Sequence, residues 1–125
     1  MSTSNEDVTR ATAATEAEMA PQPVPINVYE ASEALVVVAP LPAVTAADVQ
    51  VEVHAGPPAT LRFWAHVRSS GNRQYLVHEW EYGGYERQFE LPDGFGGAVE
   101  ATLNNGQLVV RVLRGEPVDA TVTPS

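Results

Sequence analysis

The chain has 125 residues and a mass of 13.4 kDa, enough for one domain with a modest core and too little for two. It contains no cysteine, which excludes a disulfide framework and any thiolate metal site and leaves cohesion to packing and backbone pairing. Sixteen acids against seven arginines, with no lysine, give a net charge of -9, a field that repels phosphate backbones and argues against a nucleic-acid partner.

Residues 1–25 are rich in Ala, Thr, Ser and Glu and end in Pro21-Gln-Pro23-Val-Pro25, which interrupts regular structure. A flexible N-terminal arm is expected there. It has neither the basic start nor the apolar stretch of a secretory signal, and the longest apolar run, Leu35 to Leu41, is far short of a membrane span. These features lead to the expectation of a soluble, cytoplasmic protein with no membrane span.

From Ile26 onward the pattern is β. Ile26 to Glu30 alternates; Leu35 to Ala39 is apolar on both faces and reads as a central strand; Val49 to Val53 puts three valines on one face. Pro40 and Pro42 end the second of these, and Thr45 to Asp48 suits a single helical turn capped by Thr45. Leu61 to Trp64 follows Gly56-Pro57-Pro58. Tyr85 to Leu91 alternates, with Tyr85, Arg87, Phe89 and Leu91 on one face and Glu86, Gln88 and Glu90 on the other. Val99 to Leu103 and Leu108 to Val112 are joined by Asn105-Gly106, a pair suited to a hairpin turn with two positive φ angles. Seven short strands without a convincing helix predict an all-β, immunoglobulin-like two-sheet sandwich. From Arg114 to Ser125 the pattern dissolves into a short tail.

The closing run, Ala101 to Val112 with Gly106-Gln-Leu108-Val-Val110 at its centre, resembles the signature that ends the α-crystallin domain of small heat shock proteins. Asn27-Val-Tyr-Glu30, Leu61-Arg-Phe63 and the run from Glu79 to Pro92, with Tyr85-Glu-Arg87-Gln-Phe89-Glu-Leu91-Pro92 at its end, resemble further blocks of that family. The resemblance spans about residues 25 to 113 and divides the chain into an arm, 1–25, an α-crystallin (Hsp20) domain, 26–113, and a tail, 114–125. Where the family has a Pro-Gly step this chain has Pro42-Ala43, so a positive φ there would strain alanine by about 1 kcal/mol.

The resemblance implies two surfaces. One is a groove between the strand Val49–Val53 and the strand Val99–Leu103, with Val51, Val53, Ala101 and Leu103 as candidate lining; ordinary sandwich core is the other reading of the same residues. The second is a dimer seam. In bacterial and plant-type members the loop matching residues 65–78 carries a strand that pairs with the partner's first strand, here Ile26 to Glu30, which makes Val28, Tyr29 and Tyr75 candidate contacts. A loop that only closes a hairpin is the alternative. Arg87, an arginine among aromatics, is either an edge residue with its stem over the rings or a further dimer contact. Many family members also carry an Ile/Val-x-Ile/Val tail motif that docks in a neighbour's groove; Val118-Asp-Ala120 and Ala120-Thr-Val122 each replace one branched anchor with alanine. Weak docking and a dimer or small oligomer are therefore expected.

Enzymatic chemistry has no foothold in the sequence. There is no phosphate loop, no HExxH pair and no nucleophile elbow, and His54, His66 and His78 are too widely spaced to mark a metal site by themselves. No cofactor, metal or catalytic residue is expected. The implied function is ATP-independent holding of partly unfolded clients. A p23-like co-chaperone or assembly adaptor for one folded partner is the alternative.

Overall fold

The computed structural model describes residues 22–66, 74–77 and 84–125. Among the described residues nine strands follow in chain order: β1 (Gln22–Pro23), β2 (Asn27–Glu30), β3 (Ala34–Pro40), β4 (Val49–His54), β5 (Thr60–Ala65), β6 (Tyr85–Glu90), β7 (Phe95–Asn104), β8 (Gln107–Arg114) and β9 (Ala120–Val122). They form a five-stranded sheet ordered β1-β6-β5-β4-β9 and a four-stranded sheet ordered β2-β3-β8-β7. All pairings are antiparallel except the short one between β1 and β6. This is the expected two-sheet sandwich, and all seven strands read from the sequence are present.

Alternation builds the core. Val49, Val51 and Val53 from β4 and Leu61, Phe63 and Ala65 from β5 face Leu35, Val37 and Ala39 from β3 and Leu108, Val110 and Val112 from β8. Of the fully buried side chains, Phe63 is the largest. Strand β3, buried along nearly its whole length, lies between β2 and β8 as its two-faced apolar pattern requires.

Local chemistry fixes the connections. Asn105 and Gly106 have φ of 53° and 76°, the paired positive values that let a two-residue turn follow the twist of β7 and β8. The turn Ala46–Asp48 is 3-10 helical, and Asp48 Oδ2 accepts from the backbone N and the hydroxyl of Thr45 at 3.0 and 2.9 Å. Ala43 has φ of 68°, so the missing glycine of the Pro-Gly step falls where the backbone is left-handed.

Two short strands were not legible. The proline-rich stretch contributes β1, and Val24 beside it is buried in the core, so the described end of the arm packs on the domain. At the other end, Ala120–Val122 pairs with β4.

Candidate functional site

Strand β4 has β5 on one side and β9 on the other. The register sets Val51 opposite Val122, Glu52 opposite Thr121 and Val53 opposite Ala120. Val51 and Val53 are fully buried, whereas Ala120 and Val122 are partly buried against the same core. Strand β7 borders the groove from the other sheet. Its partly buried Ala101 and Leu103 also pack on that core, and their backbone groups hold the last residue: Ser125 N donates to Ala101 O and Leu103 N donates to Ser125 O, each at 3.1 Å. Val51 and Val53 thus belong to the sandwich core, while Ala101 and Leu103 are partly buried against it, and the tail runs along the strands that carry all four.

Side chains reinforce the register. Ala55 N donates to Asp119 Oδ1 at 2.7 Å, and Gln50 Nε2 donates to Thr123 Oγ1 at 2.9 Å. The His54 Nδ1 to Asp119 Oδ1 approach is 3.9 Å between largely exposed groups and contributes little. Backbone pairing and apolar cover thus carry most of the tail's attachment.

The opposite side of the four-stranded sheet ends in β2, all four of whose residues are exposed. Val28 is 37% and Tyr29 56% exposed, and β2 has no described strand on its outer side. A concave patch of about 430 Å³ at one end of β2 is lined by Pro25, Ile26, Asn27, Val38 and Pro40, with the β7–β8 turn beside it. Tyr75, Leu76 and Val77 put three apolar side chains into solvent. Most of the loop expected to exchange between subunits, including residues 67–73, lies outside the described residues.

Arg87 has a partner within its own chain. Its Nη1 donates to Val24 O at 3.0 Å, so the side chain ties β6 to the segment leading into β2. Tyr85 OH donates to Pro42 O at 3.0 Å. On the outer face of the five-stranded sheet Arg62 lies over the Trp64 ring at 4.2 Å and directs Nε, at 2.9 Å, and Nη2 to Glu86 Oε2. Arg114 stacks on Phe95 at 4.6 Å and reaches Ser32 O and Glu30 Oε1 at 3.0 and 3.2 Å, bracing the start of β3 against the end of β8. Among the described residues no three His, Cys, Asp or Glu gather where they would hold a metal, and no helix is long and apolar enough to cross a membrane.

This arrangement, a two-sheet antiparallel β-sandwich, is the fold of the α-crystallin domain. A model of the Hsp20/alpha crystallin family matches residues 27–123, and the chain belongs to that family. No protein among curated sequences matches it. Among solved structures it is similar to hspA from Xanthomonas axonopodis (22% identity, TM-score 0.63, covering 79% of this chain and 100% of that one). A small heat-shock protein from Xylella fastidiosa, whose structure shows a distinct high order, aligns at 24% identity and TM-score 0.61 over 85% of this chain and 94% of that one. Heat shock protein 16.0 from Schizosaccharomyces pombe aligns at 21% and 0.58 over 88% and 85%. The family match runs to residue 123 and so takes in β9.

Proposed function

We propose that this protein is an ATP-independent holdase that binds partly unfolded proteins through apolar surface and limits their aggregation. Membership of the Hsp20/alpha crystallin family supports the reading. The observation that supports it most is that β4, which carries Val51 and Val53, accepts an extended strand, β9, on its outer edge, beside the partly buried Ala101 and Leu103 of β7. Capture then draws on apolar burial, about 25 cal/mol per Å², and on strand pairing, neither of which uses a nucleotide.

The working unit is a homodimer or small oligomer, seamed at β2 through Val28 and Tyr29, with Tyr75 supplied by the loop 65–78 of the partner copy. Arg87 supports that seam by holding Val24, two residues before Ile26. The test is light scattering from a heat-labile, unrelated protein warmed with and without this one in the absence of ATP. Suppression near stoichiometric ratios is expected; none, with the domain still folded, overturns the general holdase. A second reading, a p23-like adaptor for one folded partner, is favoured by the β4 edge already carrying the tail. Such an adaptor is monomeric by light scattering and protects few unrelated clients.

A further inference from the structure

Five asparagines stand in the chain, and four of them are followed by residues with side chains, namely Glu6, Val28, Arg73 and Asn105. The fifth, Asn105 itself, precedes Gly106 at the tip of the β7–β8 hairpin and is exposed. Glycine has no Cβ to obstruct its backbone nitrogen as that atom approaches the preceding side chain. The Gly106 N–H also has no backbone acceptor among the described residues.

These two neighbours can react with each other and then with water. The Gly106 nitrogen, its proton taken by hydroxide, bonds to Asn105 Cγ; the Cγ–Nδ2 bond breaks and ammonia leaves with a proton from solvent. Water then opens the cyclic imide at either carbonyl. Opening at Cγ restores the original backbone with aspartate in place of asparagine. Opening at the main-chain carbonyl gives isoaspartate, whose backbone runs through Cβ and Cγ and is longer by the Cβ. Nothing is oxidised or reduced.

The fold sets both the rate and the effect. Asn105 and Gly106, with φ of 53° and 76°, hold a left-handed turn, whereas ring closure brings Asn105 Cβ and Gly106 N into a common plane, so the turn has to open first. Gly106 O accepts from Leu41 N at 2.7 Å, which fastens the hairpin tip to the buried residue that follows β3. Directly behind the tip, Asn104 stands opposite Gln107 and Leu103 opposite Leu108. A backbone lengthened by a Cβ cannot keep both the paired positive φ values and that register. The new carboxylate also lies on the lip of the concave patch, beside Ile26, Val38 and Pro40.

We propose that Asn105 is a site of spontaneous modification, converted through its imide with Gly106 to aspartate and isoaspartate, and that the isoaspartate form releases the hairpin tip from Leu41. Water is the co-reactant, and no enzyme is required. Heat hastens the reaction by opening the turn, and mild alkali by removing the amide proton.

The test keeps the full-length chain folded at mildly alkaline pH and raised temperature and samples it over time, beside the same chain unfolded in urea. Isoaspartate is read by labelled methyl transfer from S-adenosylmethionine with an isoaspartyl methyltransferase, and placed by peptide mass mapping. It should accumulate at residue 105 and not at Asn27 or Asn104, faster as pH rises, and about tenfold more slowly in the folded chain than in urea. A folded chain left unmodified while the unfolded one converts completely overturns the site, as does modification that begins at another asparagine. Asn105→Gly removes the amide and keeps a residue that accepts positive φ, so it should give no product at that position.

Hydrogen exchange reads the release. In the aged wild type, protection of the Leu41 N–H should fall about tenfold while that of Phe63 on β5 stays, and aged Asn105→Gly should keep both. A modified chain with Leu41 protection intact overturns the release. No client or partner copy enters any of these readouts, so they stand or fall apart from the holdase reading.

Discussion

The two lateral sides of this sandwich are finished in opposite ways. On one, β4 and β7 share a single tail that pairs with the first and hydrogen-bonds to the second. On the other, β2 is a four-residue strand exposed throughout. Exposed edges invite pairing with other chains, and proteins cover or shorten the ones they do not use. The contrast teaches that the β2 edge is left to solvent among the described residues, whereas the β4 and β7 edges are covered by the chain's own tail. A net charge of -9 opposes nonspecific contact on both sides.

Both sides depend on one core, so the largest effect should fall on them equally. Phe63→Ala removes the largest fully buried side chain and should lower unfolding free energy by about 3–5 kcal/mol, read by denaturant titration. Hydrogen-exchange protection should then fall together at β2, β3, β4 and β7. A smaller change should break the symmetry. Gly97→Val pushes a side chain into the Arg114 carbonyl and should cost about 1–3 kcal/mol, with protection lost at β4 and β7 and kept at β2 and β3. Equal loss on both sides would mean that the tail is part of the global fold and not a separable cover.

The open side yields to a different substitution. Val28→Asp adds a charge to exposed β2 and should weaken self-association about tenfold, near 1.4 kcal/mol, with the monomer's melting temperature almost unchanged; sedimentation over a concentration series reads this. Tail protection on β4 should not move.

How much of this was legible follows from what kind of contact each part makes. The seven main strands show in the sequence because their burial alternates, as in Val49, Val51 and Val53. The burial of Val51 and Val53 was legible for the same reason. Strands β1 and β9 were not, since two or three residues such as Gln22-Pro23 or Ala120-Thr-Val122 are too few to establish a period. The tail's hold within its own chain is largely backbone to backbone, which any residue makes, so no side-chain motif reports it. Gly96 and Gly97 carry no hydrophobic signal, yet β7 extends through them to Phe95 with a register shift before Ala98. Arg87 stood out among aromatics, but its partner is a carbonyl that no side-chain pattern encodes.

The smallest prediction concerns the link between the sheets and so neither side alone. Ala43 lies between β3 of one sheet and β4 of the other with φ of 68°. Holding an L-residue in the left-handed region costs about 1–2 kcal/mol, and Ala43→Gly removes that cost. Glycine also widens the unfolded ensemble, which offsets about 0.4–1 kcal/mol of the gain. The net should be a stabilisation of about 0.5–1 kcal/mol, a rise of roughly 2–6 °C in Tm for a domain of this size. Because the relief lies in the connection, exchange protection should rise by the same factor at β2 and at β4. A gain confined to β4 would place Ala43 within the tail-covered half, and would mean that the tail and the crossover loop form one cooperative unit apart from the open edge.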